Sequence, residues 1–107
     1  MADFYMKQGD TRPYLAAALQ DAAGAAINLT GASVRFHVKN VVGTVIIDAD
    51  AVVTDAATGA VRYEWQAGDT ASTGTFSFEF EVTYADGGVE TFPNDGAWSL
   101  IISPEIA

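Results

Sequence analysis

Every second residue from Phe76 to Tyr84 is apolar: Phe76, Phe78, Phe80, Val82 and Tyr84. Ser77, Glu79, Glu81 and Thr83 fill the gaps. A period of two is the period of a β-strand, so the segment has one dry face and one wet face. Asp86-Gly87-Gly88 closes the run with turn residues, and a strand-like stretch from Val89 to Phe92 follows. This pair constrains the chain towards antiparallel β structure before any other property is considered.

The same pattern recurs on both sides. Phe4 to Lys7 reads as a short first strand, ended by the turn Gln8-Gly9-Asp10-Thr11-Arg12-Pro13. Tyr14 to Gln20 contains Ala16-Ala17-Ala18-Leu19, which favours a helix on propensity alone. Its shortness, Pro13 before it and Asp21-Ala22-Ala23-Gly24 after it predict a strand instead. Ile27 to Gly31 is a connector. From Ser33 to Lys39, Val34, Phe36 and Val38 face one way and Arg35, His37 and Lys39 the other. Val45 to Val53 reads as one strand, with Ile47, Ala49, Ala51 and Val53 in phase. Asp55-Ala56-Ala57-Thr58-Gly59 is a turn, after which Val61, Tyr63 and Trp65 alternate with Arg62, Glu64 and Gln66. Residues 67–74 form a polar loop, Pro93-Asn94-Asp95-Gly96 breaks the chain, and Trp98, Leu100 and Ile102 make the last strand before Pro104. About seven to nine short strands with regularly spaced turns predict an antiparallel sandwich or small barrel.

A length of 107 residues predicts one domain, residues 1–107. Half of the residues are hydrophobic, which argues against disorder. Without cysteine there is no disulfide, thiolate metal site or cysteine nucleophile. No apolar run reaches the roughly 18 residues of a spanning helix. Met1-Ala2-Asp3-Phe4 lacks the basic-then-apolar pattern of an export signal, which predicts synthesis and retention in the cytoplasm of the producing cell. The net charge of −9, with only five Lys and Arg, repels phosphates and anionic lipids. It predicts no nucleic-acid or membrane partner and reads as a soluble surface, with a complementary basic partner surface as the alternative.

Candidate chemistry is sparse. His37 is the lone histidine, on the polar face of its strand, and is expected to be a solvated side chain. One histidine serves a dyad but not a multi-histidine metal site. Asp48 and Asp50 share a strand face, with Asp55 close in sequence, but the spacing lacks the glycine and terminal glutamate of a calcium loop. They read as a water-facing stripe that discourages edge-to-edge pairing. Glu79 and Glu81 are the wet face of their strand, and Asp95 is a turn residue. Trp65, Trp98, Tyr63, Tyr84 and Tyr14 could line a sugar platform, but aromatics in phase with aliphatics are read as core. Tyr5 is out of phase with Phe4 and Met6 and is expected to be exposed. No catalytic, cofactor-binding or metal-ligating residue is assigned.

Six segments occur in a telling order: Gly9-Asp10-Thr11-x-Pro13; Leu29-Thr30-Gly31-Ala32-Ser33-Val34-x-Phe36; Thr54-Asp55-x-x-x-Gly59-x-Val61-x-Tyr63-x-Trp65; Asp69-Thr70-x-x-x-Gly74; Glu79-Phe80-Glu81-Val82-Thr83-Tyr84-x-Asp86-Gly87; and Thr91-x-Pro93-Asn94-Asp95-Gly96. Each alone is weak, but together they resemble the amino-terminal domain of phage baseplate upper proteins, from about Met6 to Ile102. The resemblance implies an immunoglobulin-like antiparallel β-sandwich and a non-enzymatic virion protein. Such a protein docks on the tail or baseplate as an adaptor or accessory subunit, in symmetric multiple copies. Alternatives are a capsid decoration or neck protein of a phage head, or a carbohydrate-binding module with a glycan as ligand. The motif residues read as fold determinants. The segments expected to reach neighbours are the terminal arms, Ala2 to Lys7 and Ser103 to Ala107, with Phe4, Tyr5, Met6, Lys7 and Ile106 as contact residues.

Overall fold

Alternation is realised strand by strand. The computed structural model describes residues 3–106. In chain order the strands are β1 (Asp3–Lys7), β2 (Leu15–Ala18), β3 (Ser33–Lys39), β4 (Val45–Asp50), β5 (Val52–Asp55), β6 (Ala60–Tyr63), β7 (Gly74–Thr83), β8 (Val89–Phe92) and β9 (Trp98–Ser103). The Phe76–Tyr84 run is the body of β7, and Phe76, Phe78, Phe80 and Val82 are all buried.

The larger sheet has the order β1-β9-β7-β3-β4. β9 covers the first half of one edge of β7, and β8 covers the second half. β1 joins β9 in parallel, whereas the other pairings are antiparallel. The smaller sheet is β2-β6-β5. The two sheets pack as an antiparallel β-sandwich of the immunoglobulin-like kind.

The core sits between the sheets and is closed by aromatic rings. Phe36 of β3 stacks on Tyr63 of β6 at 4.4 Å between centroids, joining the two layers. Trp65 meets both rings edge-on, at 5.9 and 5.2 Å. Phe78 and Phe80 lie 5.8 and 5.2 Å from Phe36. Such offset and edge contacts add to the burial of area that drives folding.

The stretch from Val45 to Val53 is two strands rather than the single one expected. β4 pairs with β3 in the larger sheet, and β5 pairs with β6 in the smaller. Between them the amide of Ala51 donates to the oxygen of Val34 at 2.9 Å. Ile47 is buried and Ala49, Ala51 and Val53 pack against the core, so the alternation runs unbroken through the change of sheet. The Ala-rich segment is a strand, as expected, but a shorter one. Leu15 to Ala18 pair with Tyr63 to Ala60, and a lone bridge joins Gln20 to Ala26. Pairing with β6 and burial of Leu15 override helix propensity.

The turn at 55–59 shows why its glycine matters. Asp55 Oδ1 accepts from the amide of Ala57 at 3.2 Å and caps a short 3-10 turn, Ala56–Thr58. Gly59 follows at φ +71, and a Cβ there would lie 2.6 Å from the oxygen of Leu19 and 2.9 Å from that of Ile27. Both the backbone angle and the close approach exclude a side chain.

Candidate docking surface

Three surface regions concentrate the polar and exposed side chains. The first is the outer face of the larger sheet. Arg35 projects from β3 between two carboxylates of β4. Its Nη2 lies 2.8 Å from Asp48 Oδ1, and its Nη1 lies 2.8 Å from Asp50 Oδ1. The hydrogen bond from Arg35 holds the Asp48 carboxyl below its usual range. Hydrogen bonds to Asp50 and Asp48 push the guanidinium up.

His37 sits beside this pair. Its Nε2 is 3.2 Å from Asp48 Oδ1, and its Nδ1 is 3.1 Å from Glu79 Oε2. The side chain is 24% exposed, so the expected solvated histidine is instead clasped between strands. Cross-strand register explains this: His37 stands opposite Asp48 on one side and Glu79 on the other. Ser77 lines the same open cleft, but both ring nitrogens already face carboxylates. The network therefore straps β4, β3 and β7 together, and neither ring nitrogen is directed at a nucleophile. Asp48 and Asp50 form the water-facing stripe that was expected, on a strand at the edge of the sheet.

The second region is the open edge of β1. β1 pairs only with β9 among the described residues. Phe4 and Met6 point inward: Phe4 lies 6.4 Å from Trp65 between ring centroids, and Met6 is buried. Tyr5 is 66% exposed, as its phase predicts. Tyr5 and Lys7 line a shallow groove of about 230 Å³ with Asp10, Arg12, Pro13 and Ser103. Neither Lys7 nor Arg12 makes an ion pair among the described residues. Arg12 stacks on the Tyr14 ring at 4.6 Å, and Arg62 stacks on it at 5.1 Å. Two cations without an ion pair among the described residues, Lys7 and Arg12, therefore lie with Asp10 beside β1, which pairs on one side only among those residues.

The loop that frames this groove is fixed by residues far away in the chain. Trp65 Nε1 donates to the oxygen of Pro13 at 3.0 Å. Gly9 donates to the oxygen of Thr70 at 3.1 Å, and the buried Thr70 hydroxyl donates to the oxygen of Asp10 at 2.8 Å. Gln8 Nε2 donates to the oxygen of Ala71 at 2.8 Å. Asp69 accepts from the Tyr63 hydroxyl and from the amide of Gln66. The motifs at 9–13 and 69–74 thus meet in space and hold each other.

At the far end, the Tyr84 hydroxyl donates to Glu90 at 2.6 Å, and Asn94 Nδ2 donates to Glu90 and to the oxygen of Thr91. Burial, reinforced by Glu90, raises the Tyr84 hydroxyl to about 12. Burial and Asp69 push the Tyr63 hydroxyl up as well.

The remaining aromatic and terminal residues are dispersed. Trp98 packs on Phe78 and Phe80, and the guanidinium groups of Arg12 and Arg62 both lie over the Tyr14 ring, so both rings already have partners. Ile106 is 97% exposed beyond the end of β9. Residues 3–7 of the first arm and Ser103 belong to paired strands, and Ala2 and Ala107 lie outside the described residues. The third region is the β3–β4 hairpin, whose exposed valines the sequence reading passed over. Their signal was visible as Val41-Val42 inside a turn.

The family model described as BppU N-terminal domain, for baseplate upper protein, matches residues 3–92. No curated protein matches the chain. Among solved structures, CopC from Methylosinus trichosporium OB3b is similar over 100% of this chain and 89% of its own, with TM-score 0.59 and 11% identity. At that identity the likeness extends to the fold alone.

Proposed function

The chain belongs to the family of baseplate upper protein N-terminal domains, phage baseplate structural domains, and on that premise we propose that it docks non-covalently onto a neighbouring virion protein through the open edge of β1. The observation that carries this reading is a strand edge unpaired among the described residues beside a groove lined by Lys7 and Arg12, neither of them in an ion pair there, in a chain of net charge −9. An extended acidic segment of the neighbour would add to β1 as a further strand. Backbone hydrogen bonds would supply affinity, and Lys7, Arg12 and the exposed Tyr5 ring would supply selectivity. Copies arranged with the symmetry of the particle would convert weak single contacts into high avidity. Ile106 would add apolar contact at the end of β9. The role is that of an adaptor or accessory subunit, with no bond made or broken.

Incorporation into particles tests this. A triple variant, Tyr5→Ser, Lys7→Glu and Arg12→Glu, should fold normally yet fall well below the wild-type chain in purified particles. Equal incorporation would refute docking through β1.

Tyr5, beside Asp10 and Arg12 in a shallow groove, supports a second reading in which the groove holds a sugar of a host surface. Binding on a glycan array that Tyr5→Ser abolishes would favour it over strand addition.

A further inference from the structure

We infer that the β3–β4 hairpin is a second, apolar docking element, and that it inserts into an apolar cleft with a basic rim on a different virion protein. The inference rests on the docking role proposed above but uses a different surface. Val41 and Val42 are 85% and 81% exposed, and Val45 and Ile46 follow at 59% and 41%. Scattered exposed aliphatics are ordinary, but four of them on one hairpin are not. β-branched residues are poor choices for a turn, and exposed at an edge strand they invite aggregation unless something covers them.

The tip is also built to hold its shape. Asn40 Oδ1 accepts from the amides of Val42 and Thr44 at 3.1 and 2.9 Å. The amide of Asn40 donates to the oxygen of Thr44 at 3.0 Å, and Gly43 donates to the oxygen of Asn40 at 3.0 Å. The register shifts between Val38 and Lys39, so the chain reaches Ile47 one residue late. Val45 consequently borders the outer cleft beside Lys39 and Asp48, whereas Ile46 borders a groove at the mouth of the sandwich beside Phe76 and Asp69. Apolar side chains are therefore presented at the tip and on both sides of its stem, with little ordering left to do on binding.

Two arguments choose the occupant. The chain carries fourteen acidic groups against five Lys and Arg, so two copies approaching each other repel, while a cationic rim attracts. The tip offers four exposed aliphatic side chains, which amount to a single functional patch. A symmetric pair of tips would fall short of the roughly 1,200–2,000 Å² that a stable dimer buries. A knob of this size suits insertion into a cleft, as one anchor among several contacts.

Two experiments on the full chain in assembled particles test this. A photo-crosslinking residue in place of Val42 should link to one other virion protein, and the same residue in place of Val89, equally apolar and 61% exposed, should not. No link above the Val89 background, or a link to a second copy of this chain, overturns the inference. The double variant Val41→Ser, Val42→Ser should keep its melting temperature and lose about tenfold or more in incorporation. Wild-type incorporation of this variant overturns the hairpin's role while leaving docking through β1 standing. Absence of the wild-type chain from particles overturns both.

Discussion

Thr70 Oγ1 donates a hydrogen bond to the backbone oxygen of Asp10 at 2.8 Å, joining two loops 60 residues apart in the chain. Thr70 is 2% exposed, so its hydroxyl has been taken out of water to make this bond. Asp10 and Arg12 lie on the loop so held, and both line the groove beside β1. A buried polar contact thereby fixes the shape of an exposed one.

Thr70→Val keeps the side-chain shape and removes the donor. It should cost about 1 kcal/mol of stability. It should also speed exchange of the Gly9 amide, whose acceptor is the Thr70 oxygen. Hydrogen exchange followed by NMR checks this; unchanged protection at Gly9 would mean that the hydroxyl does not hold the loop.

Phe36→Ala removes the ring that stacks on Tyr63 and touches Phe78 and Phe80. The site is fully enclosed and cannot collapse easily, so the loss should be about 3–5 kcal/mol. That is much of the stability of a domain this size. Tyr5→Ala, at an exposed position, should change stability by less than about 0.5 kcal/mol. Denaturant midpoints of the two variants give the comparison, and similar values would place the core elsewhere.

Tyr84 contributes stability that depends on alkaline pH. Its hydroxyl is raised from 10.0 to about 12, so the folded state favours the neutral form. The resulting stabilisation is whole below pH 10 and is lost as pH rises through about 12. Tyr84→Phe should therefore be less stable than wild type at neutral pH and show a smaller loss across that interval. Stability measured on both sides of pH 10 decides it; parallel pH curves for the two proteins would contradict the assignment.

Asp48 acts at the opposite end of the scale. Its lowered carboxyl contributes stability above the ordinary value of 3.8, and this is lost as pH falls through the lowered value. Arg35→Gln should move the Asp48 midpoint upward in an NMR titration of its carboxyl carbon. An unmoved midpoint would mean that Arg35 is not the cause.

Local alternation made the strands of the sandwich readable, because burial of one face imposes a period of two wherever it occurs. It hid the break between β4 and β5. Ile47, Ala49, Ala51 and Val53 stay inward on both sides of the change of sheet, so the signal continues where the strand does not. The ordered motifs revealed the family, and Thr70 and Asp69 prove to be internal ties, in keeping with their reading as fold determinants. His37 could be placed on the polar face, but its partners lie 11 and 42 residues away and depend on register. The groove beside β1 was illegible for the same reason: Lys7 and Arg12 face one space only after a turn returns the chain.

Mass spectrometry of particles purified from the phage that encodes the chain shows whether the chain is a component of the virion. A structural domain that docks on the baseplate should be present in washed particles at a fixed ratio to the tail proteins. Its absence from intact, infectious particles would contradict a structural role in the virion.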